Sequence, residues 1–233
     1  MAMTPDLLTV LGVGLLLGFR HAFEPDHLAA VSTLATRQGR FLQAAWLGLA
    51  WGVGHTASVG VVVLAVIAGG LRLPETFRPA AELVVAFFLM VLGLPILLRY
   101  ARGRWHMHLH AHDGTEHLHL HSHAAGHSHM HVHPRYDLHR SVGFGLAHGL
   151  AGSGAIVVLL VAAAPSRAAQ LTYFGAFGAG TMLGMLLVSG GVVLLVRLAS
   201  RRSTRWATVL HLGSALASVA VGLLLAGRIV GEF

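Results

Sequence analysis

Between residues 20 and 27 the chain reads Arg20-His21-Ala22-Phe23-Glu24-Pro25-Asp26-His27, five polar or ionisable side chains set in an apolar run. By insertion scales an Asp or Arg at membrane depth costs about 2.5–3.5 kcal/mol. Such a cluster persists only where its members pair with one another, with water or with an ion. On a regular helix His21, Glu24 and His27 form one stripe at i, i+3 and i+6. Asp26 would point elsewhere, unless a break at Pro25 turns it toward the stripe. Two imidazoles with one or two carboxylates suit Ni²⁺, Co²⁺, Zn²⁺ or Fe²⁺. Without an ion, the same residues would make an internal ion-pair network in which Arg20 neutralises Asp26.

Further imidazoles extend this set. His55 stands in Gly52-Val53-Gly54-His55-Thr56, where small residues let another helix approach closely and bring the ring to the first segment. His148, in Ala147-His148-Gly149-Leu150-Ala151-Gly152-Ser153-Gly154, has no carboxylate neighbour and is a weaker ligand candidate. Glu82 and His211 lie toward the ends of apolar segments and read as interfacial. The stretch 103–140 carries three alternating blocks: His106, His108, His110 and His112; His117, His119, His121 and His123; His127, His129, His131 and His133. With His139 it holds 13 of the 18 histidines, and Asp113 and Glu116 add carboxylates. The composition binds divalent ions and has too little apolar surface to fold alone. It signals a transition metal without naming one.

These residues are carried by a chain built for lipid. Of 233 residues 55% are hydrophobic and only 11% charged, against about 25% charged in soluble domains, and the mean hydropathy is +0.70. Cysteine is absent, which removes disulfides and the thiolate ligand that soft ions prefer. The net charge of +7 comes from arginines, which lie between apolar segments; that favours membrane anchoring over nucleic acid. A span needs about 20 apolar residues, and six segments qualify: 6–35, 41–70, 79–99, 141–164, 169–197 and 206–230. The first lacks a basic leader, so it is expected to be retained as a helix, broken at Pro25.

The two halves resemble each other. Gly18 and His21 fall on Gly145 and His148 at an offset of 127, Gly52 and Gly54 on Gly178 and Gly180 at 126, and Glu82 and Gly93 on His211 and Gly222 at 129. The expected fold is an all-α integral membrane protein: six transmembrane helices as two inverted three-helix repeats, 1–102 and 141–233, joined by the His-rich loop 103–140. An odd number of helices per unit inverts the second copy. Eleven arginines flank the side holding loops 36–41, 99–140 and 197–206, against four opposite. The positive-inside rule then puts the loop in the cytoplasm and both termini outside, in a plasma (inner) membrane.

The motif His-x4-Asp-His in an Arg-His-Ala context (Arg20 to His27) resembles the nickel/cobalt transporter family, which includes nickel permeases, urease-accessory membrane proteins and nickel/cobalt efflux proteins. Gly54-His55-Thr56 is similar to that family's second histidine motif, and Gly149 to Ala155 to its urease-accessory branch. The resemblance implies that His21, Asp26 and His27 are metal-site residues, with His55 contributing. Glu24-Pro25 and the His-rich loop are closer to the efflux members, whereas Asp26 favours uptake.

The expected activity is transport of Ni²⁺ or Co²⁺, with uptake preferred and efflux by the same site as the alternative. The ion is cargo, and no prosthetic group is expected. The partners would be the ion, the bilayer, and a cytoplasmic metallochaperone or a second copy of the chain. A P-loop, His-Glu-x-x-His and G-x-S-x-G are all absent, against an ATPase, a zinc protease or a serine hydrolase. A haem protein using His21, His55 or His148 as axial ligands is the other class to separate.

Overall fold

The computed structural model describes residues 7–35, 40–69, 76–102, 106–112, 115–121, 134–151, 161 and 164–231. They form seven helices and one hairpin: α1 (Leu7–His21), α2 (Pro25–Ala35), α3 (Phe41–Gly69), α4 (Phe77–Ala101), β1 (His106–His112), β2 (Thr115–His121), α5 (Pro134–Ala151), α6 (Arg167–Arg202) and α7 (Thr204–Gly231). Helix is the form an apolar chain takes in lipid, because it closes every backbone hydrogen bond within the segment. The surface is inverted relative to a soluble protein. Leu8, Leu16, Val61, Leu64 and Leu224 face outward, while His21, His27, His55, His148 and His211 are buried.

α3, α4, α6 and α7 are each long and apolar enough to cross a membrane; α1 and α2 pass only as a pair, bent by 59°. The described residues thus hold up to five spans where the sequence led us to expect six. The fourth expected segment, 141–164, is met in part by α5, and most of its remainder lies outside the described residues. α5 also starts at Pro134, inside the stretch expected to be loop, since proline suits a first helical turn. The His-rich region differs too. Its first two blocks contribute to an antiparallel hairpin pairing His106 with His121, His108 with His119 and His110 with His117. Strict alternation has the two-residue period of a strand, which a compositional reading misses. His123 and the third block, His127 to His133, lie outside the described residues.

Close backbone contacts at glycines assemble the bundle. A Cβ on Gly18 of α1 would meet the carbonyl oxygen of Phe177 on α6, and one on Gly180 of α6 would meet that of Leu15 on α1. α3 and α5 meet in the same manner: Gly145 lies against the carbonyl of Trp51, and Gly54 against that of Val142. Contacts advance in step along each pair, Gly14 on Tyr173 then Gly18 on Phe177, so α1 runs parallel to α6. α5 likewise runs parallel to α3 (Gly145 on Trp51, then Gly149 on His55), while α3 runs antiparallel to α6 (Gly48 on Met185, then Gly52 on Met182). α4 and α7 pack antiparallel through Gly93 on Ala215 and Gly222 on Ala86.

Candidate metal centre

The site forms where α1 stops. At 15 residues and 1.5 Å of rise per residue, α1 is about 22 Å long and ends short of a bilayer core of about 30 Å. Pro25 has no N–H to give the carbonyl of His21. That oxygen instead accepts from Glu24 N–H at 3.0 Å, the Arg20 carbonyl accepts from Phe23 N–H at 2.9 Å, and the Glu24 carbonyl accepts from Leu28 N–H at 2.8 Å to begin α2. The regular stripe of His21, Glu24 and His27 therefore does not exist. The turn folds His27 back beneath His21, with ring centroids 4.4 Å apart.

His55 enters from α3, fourteen residues from either end of that helix and so near its middle. His148 enters from α5. The centroid of His27 lies 4.9 Å from that of His55 and 4.3 Å from that of His148, which makes His27 the hub. His27 and His55 are completely buried. Among the described residues two groups of three could hold a metal, and both contain His27: His21, His27 and His55 form one, and Asp26, His27 and His148 the other, the candidate ligand atoms of each lying within 4.8 Å of one another.

The carboxylates fix the rings. Glu24 Oε2 lies 3.1 Å from His21 Nδ1. Facing a carboxylate, that nitrogen carries the hydrogen and donates, which leaves Nε2 its lone pair. His21 Nε2 stands 3.2 Å from His55 Nε2. Asp26 joins two rings, its Oδ1 being 3.2 Å from His27 Nδ1 and its Oδ2 3.2 Å from His148 Nε2. His27 Nε2 and His55 Nδ1 are buried and meet no hydrogen-bonding partner among the described residues. Buried polar atoms are rarely left so. Imidazoles backed by carboxylates are the arrangement that orients histidines on a metal, and two carboxylates match the charge of a divalent ion.

All six intramembrane residues singled out in the sequence come together: His21, Glu24, Asp26, His27, His55 and His148. Their places differ from a helical-wheel reading. Glu24 belongs to neither group of three and backs His21, whereas Asp26 stands between His27 and His148. Arg20 is exposed, and no ion pair joins it to Asp26 among the described residues. His211, read as interfacial, is buried on α7 outside the cluster. Trp51 and Phe177 were missed; their rings lie 5.6 Å from His148 and 5.2 Å from His21 and wall the site. Trp51 was accessible in principle, one helical turn before His55, but nothing local marks Phe177.

Comparison with known proteins agrees with this chemistry. Residues 7–230 match the family NicO, described as high-affinity nickel-transport protein. The urease accessory protein UreH of Bacillus sp. (strain TB-90) is 31% identical over 181 residues, covering 78% of this chain and 75% of that protein. No solved structure matches. With the family matched over nearly its whole length, this integral membrane chain belongs to the NicO family of nickel-transport proteins.

Proposed function

We propose that the protein takes up Ni²⁺, with Co²⁺ as a second substrate, through the cluster of His21, His27, His55, Asp26 and His148, with Glu24 orienting His21. The observation that carries this reading is the meeting of four buried imidazoles with two partly exposed carboxylates at a helix break, in a chain of a nickel-transport family. Substrate sites of secondary transporters form at broken helices near the midplane, between repeats. High affinity suits capture of a scarce external ion, which favours uptake over efflux. Selectivity for Ni²⁺ over Cu²⁺ rests on geometry, since bare affinity ranks copper first.

Two inverted repeats, 1–102 and 141–233, are part of this reading. The glycine contacts support them: Gly18 against Phe177 corresponds to Gly145 against Trp51, and Gly180 against Leu15 to Gly54 against Val142, at offsets of 126 and 127. The parallel pairs α1–α6 and α3–α5 are what a two-fold axis in the membrane plane would exchange. Arginine placement puts the stretch 103–140 in the cytoplasm of an inner-membrane protein. There its histidines, His123 and His127 to His133 included, would buffer the ion or pass it to a metallochaperone.

Elemental analysis tests the activity. Cells expressing the wild type should hold more nickel than cells expressing His21→Ala/His55→Ala. Less nickel, with resistance to the added ion, would mean export. Equal content for every divalent metal would leave the cluster as a structural network and end the transport reading.

The orienting carboxylates give a graded expectation. Asp26→Asn and Glu24→Gln should each weaken nickel binding by about 10–100-fold, the usual cost of losing a group that orients a ligand. Asp26→Asn should lie at the upper end because it affects two rings. Isothermal titration of the purified variants measures both.

A further inference from the structure

The six residues do not surround a single point. Among the described residues the ligand atoms fall into two groups, His21/His27/His55 and Asp26/His27/His148, and the rings of His55 and His148 stand 6.1 Å apart between centroids, farther from each other than either is from His27. Only His27 is common to both. Its Nδ1 faces Asp26, which also meets His148, and its Nε2 is buried with no hydrogen-bonding partner among the described residues. A neutral imidazole offers one in-plane lone pair, so His27 serves one group at a time.

We infer that the cluster provides two successive positions for one ion, first on His21, His55 and Nε2 of His27, then on Asp26, His148 and Nδ1 of His27, with His27 handing the ion across. This rests on the transport reading above. In the first position Asp26 accepts from His27 Nδ1–H and only orients the ring. In the second Asp26 is itself a ligand, and the hydrogen of His27 resides on Nε2. The Nδ1 proton leaves to water as the ion arrives there, and Nε2 takes one proton from water as the ion departs; one is lost and one gained, so the imidazole ends neutral as the other tautomer.

Placement in the fold gives the exchange a direction. The first position draws on α1, α2 and α3, all within 1–102, and its His21 touches Glu24, whose side chain is 36% exposed against 17% for Asp26. The second adds α5, from the other half of the chain. Entry therefore runs past Glu24, and the step from the first position to the second passes the ion toward 141–233. Two divalent ions this close, with only two carboxylates to offset them, repel strongly, so the positions are filled in turn.

The test uses the full chain with the twelve histidines at 106–133 replaced by asparagine, so that binding reports on the cluster. Cobalt(II) absorption reads occupancy, and nickel flux into proteoliposomes reads transport. One cobalt per chain is expected. His148→Ala should bind cobalt less than about tenfold more weakly yet carry nickel at least about tenfold more slowly, while His55→Ala should lose affinity as well as flux. His148→Gln, closer in volume, guards against a packing defect and should reproduce the split if it elutes as wild type. Two cobalt ions bound at once, or equal losses of affinity in the His148 and His55 variants, would overturn the handover while leaving a transport site. Absence of cobalt binding to the cluster in the parent chain would overturn both.

Discussion

Replacing His27 with alanine is expected to lower nickel transport by at least about 100-fold, more than any other single imidazole substitution. Losing a residue that only orients a ligand already costs about 10–100-fold, and His27 belongs to both groups of three. It is completely buried, its ring stands beside three other imidazoles, and its Nε2 has no hydrogen-bonding partner among the described residues. His27→Gln should fail nearly as fully, although it preserves volume and hydrogen bonding, because a neutral carboxamide is a poor ligand for Ni²⁺. His211→Gln is the matched comparison, since His211 is also buried but lies outside the cluster. Proteoliposome flux measures all three. Activity of His27→Gln within a few-fold of wild type would remove His27 from the ion's path.

The second large effect falls on assembly. Gly18→Ala and Gly145→Ala each push a methyl group onto a backbone carbonyl, of Phe177 and of Trp51, with further backbone atoms of the facing helix at 2.7–3.0 Å. A flexible side chain could move aside; a helix backbone cannot without separating the pair. Overpacking costs about 1–3 kcal/mol, and a chain of this size loses roughly 2–4 °C per kcal/mol. Melting temperatures in detergent should therefore fall by roughly 2–12 °C. Gly12 and Gly143 sit on the same two helices with nothing within 4 Å of an added Cβ. Alanine at those positions should be neutral or stabilising, by up to about 1 kcal/mol of helix propensity. Equal behaviour of the two classes would contradict the close contacts. The Gly18 and Gly145 variants should also match each other if, as proposed, the two positions are equivalent in two repeats.

Much of this site was legible because its residues are expensive where they stand. Ionisable groups in an apolar segment announce His21, Asp26 and His27, and Pro25 announces the break. Composition fixes the long helices α3, α4, α6 and α7. The division of labour between the two carboxylates was not legible. A continuous helix places Glu24 with both histidines and sends Asp26 away; the turn at 22–24 reverses this, and its course depends on what packs against it. The bond from Asp26 to His148 spans 122 residues, and no local pattern carries it. His148 looked the weaker candidate because its carboxylate comes from another helix. The hairpin was missed for a different reason: a composition-based reading discards order, and the order of the histidines is what suits a strand.

The bend between α1 and α2 has an electrostatic consequence. Aligned peptide dipoles give a helix about half a negative charge at its C-terminus and half a positive charge at its N-terminus. Because the first span stops partway, the negative end of α1 lies at the candidate metal centre rather than at a membrane surface. The positive end of α2 opens at the same gap, and there Asp26 occupies the first turn and offsets it. The gap is left with a potential that favours a cation before any ligand is touched, and an anion of similar size would meet the opposite field. An unbroken helix with the same side chains would spread those end charges to its two distant termini, and Asp26 would stand mid-helix with no positive helix end beside it to offset its charge.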